Sequence, residues 1–269
     1  MREMTPVTVA RMVALNRKMW NDISDNWQKR QDGMHHDGRF FGRGGTMLSA
    51  PVRRLMGAVR GKSLLDMQCG SGEAALSWCN LGARVTGVDL SERRLAEARK
   101  KAAVAGRRIA YARGNVVRLP FRAGTFDRIY TGGGITAWIP DARRWAREIA
   151  RVLKRGGRFL YDDRHPIAAA MHVSRRGVPG VLRSRGGYFD TRPLTYNSMS
   201  AWMKRPGRLP QAERNWTLAD LVNALGESGL RLVRLLELPV GRWFNGKDLP
   251  RDYRGSFPED LIMRWDKPR

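Results

Sequence analysis

Two short stretches of the 269-residue chain decide its fold: Leu64-Leu-Asp-Met-Gln-Cys-Gly-Ser-Gly72 and Val85-Thr-Gly-Val-Asp89. Apolar residues followed by a polar loop or a carboxylate indicate two buried strands. Gly70 and Gly72 permit a tight turn between the first strand and a helix, so the backbone can approach a ligand. Asp89 closes the second strand about 20 residues further on, where a carboxylate can accept both ribose hydroxyls of a nucleoside. Together these features predict a nucleoside-binding α/β unit.

Alternating strand and helix patterns continue beyond this unit. The predicted strands span residues 63–67, 83–88, 108–112, 126–131, 158–161, 230–236 and 261–265. Repeated strand–helix units are typical of a parallel sheet with helices on both faces. The last two strands follow each other closely, which predicts a mixed sheet of seven strands. The helix after the fourth strand is predicted to begin near Asp141 and to end at Gly156-Gly157.

Two further segments flank this sheet. Residues 1–58 are predicted to form a helical N-terminal extension or lid, and residues 59–269 form the main domain. Residues 164–214 are an insertion after the fifth strand, and they appear irregular from Ile167 to Gln211. Because a loop of that length is more often a functional cover than a connector, we expect the insertion to lie over a substrate and to join the N-terminal helices. It carries ten Lys and Arg but two acids, which favours a substrate with a carboxylate or phosphate.

The whole chain is basic, with 50 Lys and Arg, 25 Asp and Glu, and a formal net charge of +25. This balance is compatible with nucleic-acid binding, but a general abundance of arginine throughout the chain is the favoured interpretation. Cys69 and Cys79 are too few for a disulfide framework, and no apolar run approaches the roughly 18 residues of a membrane helix. The histidines and cysteines show no metal-ligand spacing. We therefore expect a cytoplasmic monomer or homodimer without a metal.

Several residues together resemble the class I S-adenosylmethionine-dependent methyltransferases, and most of all the branch that methylates small molecules. They are Asp66 at the end of the first strand, Asp127 in Thr125-Phe-Asp-Arg-Ile-Tyr-Thr131, and the passage 148–160. The resemblance extends over about residues 60–162. The resemblance implies S-adenosyl-L-methionine as cofactor and a Rossmann-like sheet in the order 3-2-1-4-5-7-6. The chain departs from the family at Gln68, where a glycine is usual, and at Asn115, where an aspartate is usual.

The resemblance also implies which residues hold the cofactor. From the amino acid moiety through ribose and adenine to the sulfonium, they are Asp66, Gln68, Gly70, Gly72, Asp89, Leu90, Asn115, Val116, Thr131 and Gly132. Trp20 and Trp27 lie seven residues apart on nearly the same helix face. They are placed either to close over the methionine end or to pack in the core.

A catalytic base, if the reaction needs one, is expected at the carboxyl end of strand four or five. His165 is the first candidate, because its unperturbed pKa lies near neutrality. Asp162 or Asp163 would orient its ring or replace it. The weaker candidates are Tyr130, His35 and His36. The alternative is that positioning alone suffices and that His165 merely ends its strand.

Three functions stay open at this point. The first is a small-molecule methyltransferase of specialised metabolism. The second is an RNA or ribosome methyltransferase, which the charge favours; the sequence Thr131-Gly-Gly-Gly134, in place of an Asn/Asp-Pro-Pro-Tyr/Phe motif, disfavours it. The third is a cofactor-binding homologue without catalysis, because a fold alone does not fix a function.

Overall fold

A mixed β-sheet forms the centre of the protein in a computed structural model that describes residues 7–32, 37–170, 188–197, 209–239 and 258–269. Its strands are β1 (Ser63–Met67), β2 (Arg84–Asp89), β3 (Ala110–Arg113), β4 (Phe126–Gly132), β5 (Leu153–Arg164), β8 (Arg231–Leu238) and β9 (Asp260–Asp266). A separate hairpin consists of β6 (Pro193–Asn197) and β7 (Pro210–Arg214). The large sheet has the order β3-β2-β1-β4-β5-β9-β8, in which β1 to β5 are parallel and β9 is antiparallel to both neighbours. The predicted fold and strand order are confirmed. The last two strands of the large sheet are numbered β8 and β9, and not 6 and 7, only because the two hairpin strands precede them.

Helices cover both faces of this sheet. They are α1 (Val9–Asp32), α2 (Gly38–Gly42), α3 (Ala50–Met56), α4 (Glu73–Asn80), α5 (Glu92–Val104), α6 (Ala142–Val152), α7 (Pro166–Ala170) and α8 (Leu218–Glu227). Side chains alternate along each strand, so Leu64 packs with α3 and α4 on one face while Leu65 packs with α6 and α8 on the other. The helix α3 of the N-terminal extension thus packs in the same layer as α4.

Two local predictions are wrong. The helix α6 ends at Val152 instead of Gly156, because Leu153 takes extended dihedral angles and pairs with Phe126. The stretch from Ile167 to Gln211 is not wholly irregular, because it contains α7, β6 and the start of β7. The two strands of the hairpin pair with each other across intervening residues, and local periodicity does not reveal such a pairing. Residues 171–187 and 198–208 of the insertion lie outside the described residues.

The helix α1 lies across the carboxyl ends of the central strands. Near its middle, Asn21 accepts a hydrogen bond from Ser91, which follows β2, and donates one to Glu92. Trp20 makes an edge contact with Trp138, in the short 3₁₀ turn that follows β4. Since β1 lies between β2 and β4 in the sheet, α1 passes over the end of β1, where the glycine loop begins.

The insertion and the N-terminal helix are in contact. The side chain of Asn16, which is 3% exposed, donates to the carbonyl of Ala212 at 2.7 Å and accepts from its N–H at 2.8 Å. This double hydrogen bond fixes α1 against β7.

We expect Asn16→Ala to lower the free energy of unfolding by about 1–3 kcal/mol, because both backbone groups of Ala212 lose a buried partner. Urea denaturation followed by circular dichroism measures the change. Lys18→Ala, on the exposed side of the same helix, is the matched control. Equal stability of the two variants would show that the α1–β7 contact contributes nothing.

Candidate cofactor and active site

The glycine loop between β1 and α4 turns through three residues of positive φ: Gln68 (+54°), Gly70 (+54°) and Gly72 (+83°). A Cβ at Gly72 would lie 2.6 Å from the hydroxyl of Tyr111, so this position has room only for glycine. Gln68 is a strained exception, at about 1–2 kcal/mol for a side chain in the left-handed region. Its amide donates to the carbonyl of Ile135 and accepts from Thr131, both at 3.3 Å, and thereby ties the loop to the residues after β4.

Asp89 ends β2 beside this loop. One of its carboxylate oxygens accepts from the N–H of Gly70 and the other from the N–H of Ser91, both at 2.9 Å. Burial raises the pKa of Asp89 above its ordinary value, although these hydrogen bonds oppose the shift. A carboxylate oxygen has more than one acceptor site, so both oxygens can also accept ribose hydroxyls.

Asp66 supplies a second acidic group at the end of β1. It is 1% exposed, and its Oδ2 makes no hydrogen bond with the described residues. Burial, followed by repulsion from Glu73 and Asp89, raises its pKa well above the ordinary value. A buried carboxylate oxygen without a partner requires a cation or a donor. The ammonium group of S-adenosylmethionine fits this requirement.

The residues expected around the base follow β3. The Oδ1 of Asn115 accepts from the N–H of Val117 at 3.1 Å, which leaves one acceptor site on this oxygen. Val116 is buried and Leu90 is half-buried. The N–H of Gly114 donates to the carbonyl of Asp89, so this segment lies directly beside the end of β2.

The carboxyl end of β4 is held by buried polar contacts. Thr131 is fully buried and donates to Met67 or Gln68. A Cβ at Gly132 would lie 2.3 Å from the carbonyl of Asp162, so a side chain does not fit there. Asp163 accepts from the N–H groups of residues 134, 135 and 136 at 2.5–2.9 Å, and so it fixes the loop after β4.

Three tryptophans lie over this end of the sheet. The ring of Trp20 is 5.5 Å from that of Trp27 and 5.2 Å from that of Trp138. Both helix tryptophans also lie 5.9 Å from the guanidinium of Arg94 at the start of α5. The two helix tryptophans therefore lie between the start of α5 and the turn after β4, and their role towards the cofactor stays a prediction. Sequence reasoning did not assign Trp138 or Arg94 to the site.

His165 lies at the same edge of the sheet and is 5% exposed. Its Nδ1 accepts from the N–H of Ile167 at 3.1 Å, and its Nε2 lies 3.0 Å from a carboxylate oxygen of Glu237 on β8. Burial lowers the pKa of His165, while the Glu237 carboxylate opposes this shift.

The acidic partner of His165 differs from the one expected. Glu237 faces the imidazole, whereas Asp162 accepts a hydrogen bond from Tyr130 at 2.7 Å and Asp163 fixes the loop after β4. No local signal marks Glu237, because the antiparallel β8–β9 pairing places it there. His35 and His36 lie outside the described residues.

Two kinds of feature are absent from the described part of the chain. No group of three or more His, Cys, Asp or Glu residues there is arranged to hold a metal ion. No helix there combines the length and the apolar character that crossing a membrane requires.

Comparison with known proteins supports the assignment of the domain. Residues 65–161 match the family described as "Methyltransferase domain". A crystal structure of an S-adenosylmethionine-dependent methyltransferase from Mesorhizobium loti has a TM-score of 0.61 and 25% identity, and it covers 81% of this chain and 96% of that one. Residues 65–161 thus match a methyltransferase domain, and the chain has the fold of the S-adenosylmethionine-dependent methyltransferase from Mesorhizobium loti.

Sequence relatives match over shorter stretches. An uncharacterized protein of Mycobacterium bovis is 38% identical over 103 residues, which are 38% of this chain and 37% of that protein. A demethylmenaquinone methyltransferase of Lactococcus lactis is 31% identical over 173 residues, 61% of this chain and 63% of that protein. The chain thus spans less than two thirds of the length of these relatives.

We expect Asp89→Ala to weaken S-adenosylmethionine binding by about 1.5–3 kcal/mol, because the ribose hydroxyls lose a charged acceptor. Titration calorimetry measures the change. Asp37→Ala is the matched control, because Asp37 also accepts a backbone N–H at the start of a helix but caps α2. Unchanged affinity of the Asp89 variant would refute the ribose assignment.

Proposed function

We propose that this protein transfers the methyl group of S-adenosylmethionine to an oxygen, nitrogen or carbon atom of a small metabolite. The observation that carries this proposal is the position of α1 across the site. Asn21 reaches Ser91 after β2, and Trp20 reaches Trp138 after β4, so the glycine loop between them is roofed. A roofed site accommodates a small acceptor better than a polymer. The demethylmenaquinone methyltransferase relatives also bear the name of a small-molecule substrate.

The residues of this chain contribute mainly positioning. S-adenosylmethionine, when bound, supplies a methyl group on a sulfonium that is its own leaving group. Asp89 and Asp66 fit the ribose and the ammonium group, and Gln68 holds the glycine loop against β4. The rings of Trp20 and Trp138 exclude water and present aromatic surface to a cation. Placing the two reactants in one fixed geometry accounts for a large part of the rate enhancement in such reactions.

We assign any proton-accepting role to the pair of His165 and Glu237. The neutral imidazole carries its proton on Nε2, towards Glu237, because Nδ1 accepts a hydrogen bond from Ile167. Proton uptake at Nδ1 requires that this hydrogen bond opens. The adjacent carboxylate then stabilises the imidazolium.

We propose that the methyl acceptor is anionic, because residues 164–214 carry an excess of positive charge. Three of the ten cations in this segment are described, and all three have partners. Arg192 pairs with Asp190, Arg214 donates to the carbonyls of residues 140 and 191, and Arg164 donates to that of residue 168. The other seven cations lie outside the described residues.

A methyl-transfer assay with labelled S-adenosylmethionine tests the function directly. We expect transfer to a member of a small-molecule panel in which each carboxylate or phosphate is paired with its neutral ester. The anionic member of the productive pair should react faster. A cationic or apolar substrate would contradict the charge argument, and cofactor binding without turnover on broad panels would favour a non-catalytic homologue.

The role of His165 is tested by the pH dependence of kcat. Because burial lowers the pKa of His165, we expect wild-type activity to fall only as the pH drops through that lowered pKa. Glu237→Gln removes the charge that raises this pKa, so the acidic limb should move to still lower pH. His165→Asn should remove the limb and reduce kcat by about 10²–10⁴-fold.

Glu227→Gln is the control for these variants, because Glu227 is an exposed carboxylate on α8. If kcat and its acidic limb are unchanged in His165→Asn, the histidine has no acid–base role. Catalysis would then rest on positioning alone.

An RNA substrate is the second candidate, and one feature favours it. A groove of about 820 Å³ is lined by Arg84, Arg99, Arg107 and Arg108. It lies at the amino ends of β1 to β4, however, which is the edge of the sheet opposite to the glycine loop. RNA binding there should weaken steeply with salt. Failure to methylate RNA or ribosomal particles at low salt would exclude this function.

A further inference from the structure

Arg94 is a buried cation at the edge of the cofactor site. It lies in the first turn of α5, where its N–H donates to the side chain of Ser91, and the residue is 6% exposed. Its Cζ lies 5.9 Å from the ring centres of both Trp20 and Trp27. Burial of a guanidinium is unfavourable unless its donors find acceptors.

The guanidinium points to the glycine loop. A Cβ placed on Gly70 would lie 3.0 Å from Nη2 of Arg94, so no side chain separates the two residues. The other terminal nitrogen, Nη1, is buried and makes no hydrogen bond with the described residues. The guanidinium thus faces the loop through Nη2 and carries, on Nη1, a buried donor without an acceptor among the described residues.

The carboxylates near Arg94 already have other hydrogen-bond partners. Asp89 accepts from the N–H groups of Gly70 and Ser91. Glu73 accepts from Lys101 and from the hydroxyl of Ser71. Both acids act on Arg94 through their charge, but the structure shows no hydrogen bond from Arg94 to either. The missing acceptor must come from the ligand.

S-adenosylmethionine has one anionic group, the carboxylate of its methionine moiety. We propose that Arg94 binds this carboxylate, and that Arg94 and Asp66 together recognise the two charges of the amino acid moiety. The proposal rests on the cofactor assignment above. It makes Arg94 a specificity-determining residue, because a nucleoside without the carboxylate would leave Nη1 unpaired.

The closing experiment compares two ligands that differ in one group: S-adenosylhomocysteine and its decarboxylated analogue. Calorimetry on the full chain gives the affinity of each for wild type and for Arg94→Met. We expect the substitution to weaken S-adenosylhomocysteine binding by roughly tenfold to a hundredfold, as for a hydrogen bond to a charged group. The decarboxylated analogue should lose less than about threefold. Arg94→Lys should restore part of the discrimination.

Arg93→Met is the matched control, because Arg93 is the exposed neighbour on the same helix turn. Damage to the fold would weaken both ligands alike, so the ratio of the two affinities reports on the carboxylate alone. An equal loss for both ligands, or no loss, overturns the proposal. If wild type binds neither ligand, the cofactor assignment fails as well, and the two failures are distinguishable.

Discussion

The carboxylate of Asp89 joins the two segments from which the cofactor site is made. By accepting from the N–H of Gly70 it fixes the glycine loop, and by accepting from the N–H of Ser91 it fixes the start of α5. The hydroxyl of Ser91 in turn donates to Asn21, so the position of α1 also depends on the start of α5. A carboxylate that accepts several backbone N–H groups is held in one orientation, which is the preorganisation that a ribose site needs.

A buried ion pair lies next to the glycine loop. Glu73 and Lys101 form a buried ion pair, to which the hydroxyl of Ser71 donates at 2.6 Å. Although burial by itself raises it, the pKa of Glu73 is lowered overall, because Lys101 and Arg94 stabilise the charged form. Removal of one partner of a buried pair leaves an uncompensated charge, at about 3–5 kcal/mol. Both partners are therefore needed to keep this buried arrangement next to the loop.

The sheet could be predicted from sequence because each of its signals is local. The glycine loop and the acid at the end of β2 each lie within a few residues of the strand that they follow. The site could be predicted only where the family resemblance supplied a role. Arg94 precedes the buried Ala98 by four residues, so the helix period indicates that both side chains lie on the same, inward face. The charge of Arg94 favours the opposite prediction, because arginine side chains are mostly exposed to solvent. Lys101, another charged residue of α5, is likewise buried, and it pairs with Glu73.

Non-local contacts account for what the sequence did not reveal. Glu237 meets His165 because β9 pairs antiparallel with β5 and β8 pairs antiparallel with β9. Asn16 meets Ala212 because a hairpin forms within the insertion. Neither contact leaves a periodic trace in either segment, since pairing partners lie far apart along the chain. The roof over the site is thus a product of tertiary packing, and the function inferred from it required the structure.

The basic residues of the groove and the candidate cofactor site lie at different edges of the sheet. All carboxyl ends of the parallel strands meet at one edge of the sheet, and there the described ionisable groups include Asp66, Asp89, Asp163 and Glu237. The arginine-lined groove lies at the opposite edge. The arginines attract a polyanion to the amino ends of the strands. This attraction does not place the atoms of the polyanion at the glycine loop, because the loop lies at the other edge of the sheet. The net charge of +25 is therefore no guide to the methyl acceptor, and an anionic acceptor has to be recognised by groups that lie beside the loop or in the insertion.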